Sequence, residues 1–208
     1  TVHHGQRYST DGHNLSTRDG RLQWPLPATD LQSCSLWIQE DICLLQAVND
    51  EYILTAASVC SPSNWRLSDK IGKALGAIHD PVPGYRDTLH NRTNRLLNKL
   101  SKDKVIIRYN WSVQAGNELC WRPDLYATQE PAELYWRVER QTLRRLPETG
   151  AIVFGIRIFL ESFTRLESRH AGFTTTLREI IEHLPEAQRR FKGLDRLLGR
   201  PEFGAVES

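Results

Sequence analysis

Two stretches with strand character, 41–48 and 52–60, stand close together, and three more, 105–113, 134–143 and 151–159, follow only after a long interval without any. Each is rich in β-branched and aromatic residues or alternates apolar with polar positions, as a half-buried strand does. Asn49, Asp50 and Glu51 leave room only for a hairpin between the first two. Pro147-Glu148-Thr149-Gly150 turns the chain between the last two. The interval holds a short helical pattern at 66–75 and a longer one at 86–100, where Leu89, Thr93, Leu96, Leu97 and Leu100 share a face. A further helix is expected over 174–184, with apolar positions at 177, 180, 181 and 184. The order predicts an α+β fold: a five-stranded antiparallel sheet, helices inserted after its second strand, and a C-terminal helix.

Between the two inserted helical patterns runs Ile78-His79-Asp80-Pro81-Val82-Pro83-Gly84-Tyr85. Proline fixes φ and restricts the residue before it, so this segment should be a stiff, irregular turn. A stiff turn holds a histidine in one orientation, which suits a metal ligand.

Residues 1–30 are rich in Gly, Ser, Thr, Asp, Asn and His and read as an irregular segment, with turn signals at Asp11-Gly12 and Asp19-Gly20. His3 and His4 have no third ligand nearby and read as a loose terminus rather than a metal site. The main domain is expected over 31–165 and a helical tail over 166–208. Residues 116–131 read as a polar loop carrying Trp121 and Tyr126.

A chain of 208 residues with net charge +2 is long enough for a core and too weakly basic for a dedicated nucleic-acid binder. No apolar run reaches the roughly 18 residues of a membrane span, and no secretory leader is read. The four cysteines lack C-x-x-C spacing, which argues against zinc or iron–sulfur ligation here and for reduced thiols in a cytoplasmic setting. There is no G-x-G-x-x-G, Walker loop, G-x-S-x-G or H-E-x-x-H, so no flavin or nucleotide site has a motif on this chain.

Several separated strings occur in a fixed order. They are Leu54-Thr55-Ala56-Ala57-Ser58-Val59-Cys60-Ser61-Pro62-Ser63-Asn64-Trp65-Arg66-Leu67, then Asp69-Lys70-Ile71-Gly72-Lys73, the His79 turn, and Tyr109-Asn110-Trp111-Ser112. The last is Trp136-Arg137-Val138-Glu139-Arg140-Gln141-Thr142-Leu143-Arg144-Arg145-Leu146-Pro147. In this order, over about residues 12–194, the chain resembles the haem-binding α subunit of the haem-dependent oxidative N-demethylase family. It departs from the family string at Ser61, where a phenylalanine commonly follows the cysteine. The resemblance implies a PAS fold that holds haem b between sheet and helical insert. It also implies oxidation by O2 of a small methylated amine, dimethylamine-like, to the demethylated amine and formaldehyde. NADPH, FMN and a 2Fe-2S centre would then belong to a partner reductase subunit. A non-catalytic haem PAS sensor or gas-binding module is the alternative. A globular interaction protein that has lost haem is the third reading.

Under this resemblance His79 is the expected iron ligand. His90 is its rival, about 20° around the long helix from Leu97 at 100° per residue. A Cys60 thiolate comes after both, its simpler role being that of a small buried hydrophobe. Arg66, Lys70, Lys73, Arg86, Arg92 and Arg95 surround the turn in sequence. Lys70, Arg86 and Tyr85 are taken as the cofactor-binding set, the cations for haem propionates. The 134–143 strand puts Leu134, Trp136, Val138 and Arg140 on one face and Arg137, Glu139 and Gln141 on the other. Glu139 would hold a cationic amine. Arg140 or Asn110 would place a polar donor near the reacting oxygen. Sequence alone leaves open which face does this.

Overall fold

The computed structural model describes residues 8–27, 30–122, 133–200 and 203. His3, His4 and Tyr126 lie outside the described residues. The region read as irregular contains three short antiparallel strands, β1 (Tyr8–Thr10), β2 (Asn14–Thr17) and β3 (Gln23–Pro25). Their turns fall at the two Asp-Gly pairs. Asp11 Oδ1 accepts from the backbone N–H groups of His13 and Asn14, at 2.8 and 2.6 Å. This is the local competition that makes aspartate a turn former.

After α1 (Leu31–Ser35), capped by Asp30 at Ser33 N–H, come β4 (Asp41–Val48) and β5 (Glu51–Ser58). Their loop is two residues rather than the expected three. Asn49 and Asp50 both take left-handed backbone, φ 49° and 64°, which lets Glu51 join the ladder. A single 3₁₀ turn (Leu67–Asp69) leads to α2 (Leu75–Ile78). The long helix begins as a π-helical turn (Tyr85–Leu89) and continues as α3 (His90–Lys99). Then follow β6 (Val105–Ala115), β7 (Leu134–Arg145) and β8 (Ile152–Ser162). The five strands form one antiparallel sheet in the order β5-β4-β8-β7-β6. The fold is therefore α+β with two antiparallel sheets, as the strand and helix patterns predict for the larger one.

Helices cover the large sheet on both faces, at different places. On one face Cys43, Leu45, Tyr52, Leu54, Leu143 and Ile152 form a core with Leu75 of α2 and Leu97 and Leu100 at the end of α3. Leu89 and Leu96, expected on the same helix face, remain exposed. The wide π-helical turn rotates Leu89 out of the α3 stripe, and of two successive leucines only Leu97 can point at the sheet. On the opposite face, at the far end of β6 and β7, Val113 and Leu134 pack under the C-terminal helices. The helix expected over 174–184 is present and three shorter ones flank it, giving α4 (Phe163–Arg169), α5 (Phe173–His183), α6 (Glu186–Phe191) and α7 (Asp195–Leu198). Left-handed Gly172 and Gly193 and the φ-locked Pro185 stand at the breaks. Rings of Trp111, Trp136, Phe173, Phe163 and Phe203 follow one another with centroids 5.0–5.6 Å apart, within the range of favourable aromatic pairs.

Arg145 ties the helical insert to the sheet. Its guanidinium donates to the carbonyls of Leu97, Leu100 and Gly150 and to the Tyr52 hydroxyl. Two of these carbonyls stand at the end of α3, where Leu97 also accepts from the Leu100 N–H. Arg145→Met should cost about 3 kcal/mol in urea unfolding, the scale of losing charge-assisted bonds and leaving partners unsatisfied. A loss under about 0.5 kcal/mol would mean solvent replaces the clamp.

Candidate functional site

The geometry around His79 starts from the end of α2. The backbone N–H and ring Nδ1 of His79 both approach the Leu75 carbonyl, at 3.0 and 2.9 Å. A carbonyl only accepts, so Nδ1 carries the proton and Nε2 keeps its lone pair. Gly84, in left-handed backbone at φ 70°, turns the chain so that the buried Tyr85 ring stacks on the imidazole, centroids 4.6 Å apart and planes 15° from parallel. Lys70 Nζ donates to the Ile78 carbonyl at 3.0 Å, capping α2 beside the histidine. Arg86 forms an ion pair with Asp80 that clips the turn from outside, both chains being exposed. Burial lowers the His79 pKa below 6.5, and the positive charges of Arg108 and Lys70 lower it further.

A polar row on β6 and β7 occupies the same face of the sheet as the core beneath α2 and α3. Strand register sets Asn110 opposite Glu139 and Arg108 opposite Gln141. Arg108 Nε donates to Gln141 Oε1 at 2.6 Å, and Gln141 Nε2 donates to Glu139 Oε2 at 2.9 Å. Asn110 Nδ2 reaches the same carboxylate oxygen at 3.4 Å. Glu139 Oε1 lies 3.8 Å from Nε of the fully buried Arg137. The charge of Arg108 acts on His79, and that of Glu139 acts on Arg108. The Tyr85 hydroxyl is buried with no hydrogen-bond partner. An orphaned buried hydroxyl is costly and marks a place where a ligand group fits.

The structure sets Tyr85 and Lys70 beside His79 and, separately on the strands, Asn110 beside Glu139. Arg140 lies on the face opposite Glu139, as the alternation predicts, its Nη2 3.2 Å from Glu40 Oε1. The alternation of β7 separates it from Glu139. His90 sits next to Tyr85, but its Nε2 faces Glu51 at 3.6 Å and Asn94 at 3.4 Å. Its Nδ1 is buried and unpartnered against α2, where a Cβ on Gly76 would come within 3.0 Å of the ring. Cys60 is exposed rather than buried; its backbone, not its thiol, is engaged, donating to Asp41 at 2.8 Å. Two cavities of about 200 and 330 Å³ lie on the far face, among Leu134, Phe163 and Thr174 and among Trp136, Phe159 and Phe173. Neither includes His79, Lys70, Tyr85, Arg86, Asn110, Glu139 or Arg140, though both touch the Leu134, Trp136 and Val138 face of the strand. Among the described residues no three His, Cys, Asp or Glu side chains gather to hold a metal ion.

A family model described as haem-dependent oxidative N-demethylase, alpha subunit-like, matches residues 3–199. The chain belongs to that family. The family's haem dependence fits what is present here. One neutral imidazole with an open Nε2, a buried phenol without a partner and nearby cations suit a prosthetic group whose macrocycle supplies the other iron ligands. Arg108 and Lys192, which both join the polar row, were not singled out from sequence. Arg108 becomes conspicuous only once strand register sets it against Gln141.

The haem-free chain should show the His79 shift as a pH dependence of stability. Its folded pKa lies below the unfolded value, so the unfolded form binds the proton first as pH falls. The stability held above pH 6.5 is then lost as pH drops through the lowered folded value. Urea unfolding between about pH 7.5 and 5.5 should fall less steeply for His79→Gln than for the unmodified chain. Parallel profiles would remove His79 from the balance.

Proposed function

We propose that this chain is the haem-carrying, oxidising subunit of an oxidative N-demethylase, acting on a small methylated amine. The observation that carries the reading is the His79 imidazole. Its Nδ1 proton is held by the Leu75 carbonyl, and the ring stacks on the buried Tyr85. Second-shell bonds of this kind fix the tautomer and aim the other nitrogen at a metal. His79 would ligate the iron of haem b, Tyr85 would pack beside it, and Lys70 and Arg108 would face its propionates. The sheet order supports a PAS domain: counted along the chain its strands lie 2-1-5-4-3, with helices after the second. Bound haem would supply the reducible iron at which dioxygen is activated.

The chain's own residues would do the rest. A secondary amine is cationic near neutral pH and offers little apolar area, so charge and hydrogen bonds must hold it. Glu139 is the carboxylate in position, its Oε2 fixed by two amide donors and its Oε1 held only by a long ion contact. Oε1 would accept a hydrogen bond from the ammonium and so orient the N-methyl carbon for oxidation. The overall change consumes O2, two electrons and two protons and gives the demethylated amine, formaldehyde and water. The electrons would come from a separate flavin and iron–sulfur reductase subunit using NADPH, and the reduced Cys34, Cys43 and Cys60 suit a cytoplasmic setting. Among the described residues no helix is long and apolar enough to cross a membrane.

Formaldehyde release from dimethylamine by the haem-loaded chain, with O2 and a reductase, tests the activity. Three substitutions test the site. His79→Ala should abolish normal haem ligation in the absorption spectrum, while His90→Ala should keep it; the reverse pattern would overturn the assignment. Glu139→Gln keeps the shape and removes the charge, so amine-induced changes in the haem spectrum should need about tenfold more amine, the loss of one charge-assisted bond. Superimposable titrations would take Glu139 out of the site.

A further inference from the structure

We infer that Lys192, at the end of α6, is a positioning residue of the amine site and acts through Asn110. The inference rests on the amine-binding role proposed for Glu139. Lys192 crosses the edge strand β6 from the C-terminal helices. Its Nζ donates to Asn110 Oδ1 at 3.1 Å and to the Trp111 carbonyl at 2.6 Å. The ammonium also lies 5.2 Å from the Trp111 ring centroid, within cation–π range.

The chemistry of an amide makes this arrangement directional. An ammonium can only donate, so it takes the oxygen end of Asn110 and turns the NH2 end the other way. On that side Glu139 Oε2 accepts at 3.4 Å. The same logic holds across the carboxylate. Arg108 takes the oxygen of Gln141 and turns its NH2 to the same Oε2 at 2.9 Å. Each amide is oriented by a cation, and the two hold one oxygen of Glu139 from both sides. Oε1 is thereby presented to a ligand in one geometry. Asn110 is exposed, so without Lys192 only the long 3.4 Å bond to Glu139 holds its amide against rotation. The Lys192 ammonium, half-buried, also feels Glu139 as its nearby anion.

Two opposing effects make the test sharp. As a mere positive charge, Lys192 would repel a cationic amine, and its removal would tighten binding. As a positioning residue, its removal weakens binding. In the haem-loaded full chain, Lys192→Met should raise the dimethylamine concentration at half-saturation roughly fivefold. Lys192→Arg should restore it to within about twofold. Asn110→Leu should weaken binding as much as Lys192→Met, and the double variant no more than either, because the two act in series. Unchanged or tighter binding by Lys192→Met, or additive losses in the double variant, would overturn the inference. A second readout needs neither haem nor amine. In the haem-free chain the Asn110 side-chain NH2 protons should exchange slowly by NMR, and Lys192→Met should make them exchange as an exposed amide does, with circular dichroism unchanged. Unaltered exchange would also overturn it. If Glu139→Gln leaves amine binding untouched, the amine-site reading fails, while the exchange experiment still decides whether Lys192 orients Asn110.

Discussion

The guanidinium of Arg137 sits in the sheet with no exposure to solvent, and the arrangement around it follows from the need to satisfy that charge. An unpaired buried cation is among the costliest groups a fold can contain. Here it donates to Gln114 Oε1 at 3.1 Å, to the Leu119 carbonyl at 2.9 Å and to the Ser61 carbonyl at 2.5 Å. Gln114 is pinned in turn by donating to the Gly116 and Glu118 carbonyls. The loop after β5 is gripped from both ends of its peptide groups: Arg137 takes the Ser61 carbonyl, and the buried Asp41 accepts from the N–H groups of Cys60 and Ser61. Burial raises the Asp41 pKa, and these donors and Arg137 oppose the shift. Because the loop is held through its backbone, the grip does not depend on the side chain at Ser61.

The same cation stands beside Glu139, so the structural clamp and the candidate site share a residue. This explains why a charged row persists on a sheet face that is otherwise core. Toward Leu143 and Ile152 the face is covered by α2 and α3 and is apolar. Toward Arg108 and Asn110 the strand is exposed, and charge there need not be fully withdrawn from water. A fold that must place a carboxylate near an apolar slot does so at such a border, where neighbouring dipoles can be fixed without the full cost of burial.

Much of this was legible in the sequence, for identifiable reasons. The five strands of the large sheet announce themselves through β-branched content, and the Asn49-Asp50 turn through residues that tolerate left-handed backbone. The His79 turn is legible because its two prolines leave few conformations. The alternation of β7 correctly sets Glu139 and Gln141 apart from Arg140. Which of these faces meets the His79 turn was not legible, because helices pack on both sides and alternation is blind to which set comes first. The N-terminal strands are three or four residues long, below the length at which period-two patterning shows. Lys192 is 82 residues from Asn110, and no local pattern reports an edge crossing of that kind.

His79 and His90 show what separates a ligand-ready histidine from a packing one when composition does not. Both rings touch Tyr85, His79 by stacking and His90 edge-on. A ligand needs one nitrogen held as a donor and the other left open. His79 meets this through the Leu75 carbonyl, a partner available only because α2 ends there and leaves that oxygen to accept twice. His90 lies inside the long helix, where its backbone offers no such carbonyl to the ring. Its nitrogens are directed instead to Glu51 and Asn94 and against Gly76. The absence of a side chain at Gly76 is what lets the ring lie that close to α2, so the glycine and the histidine together set the spacing between α2 and α3.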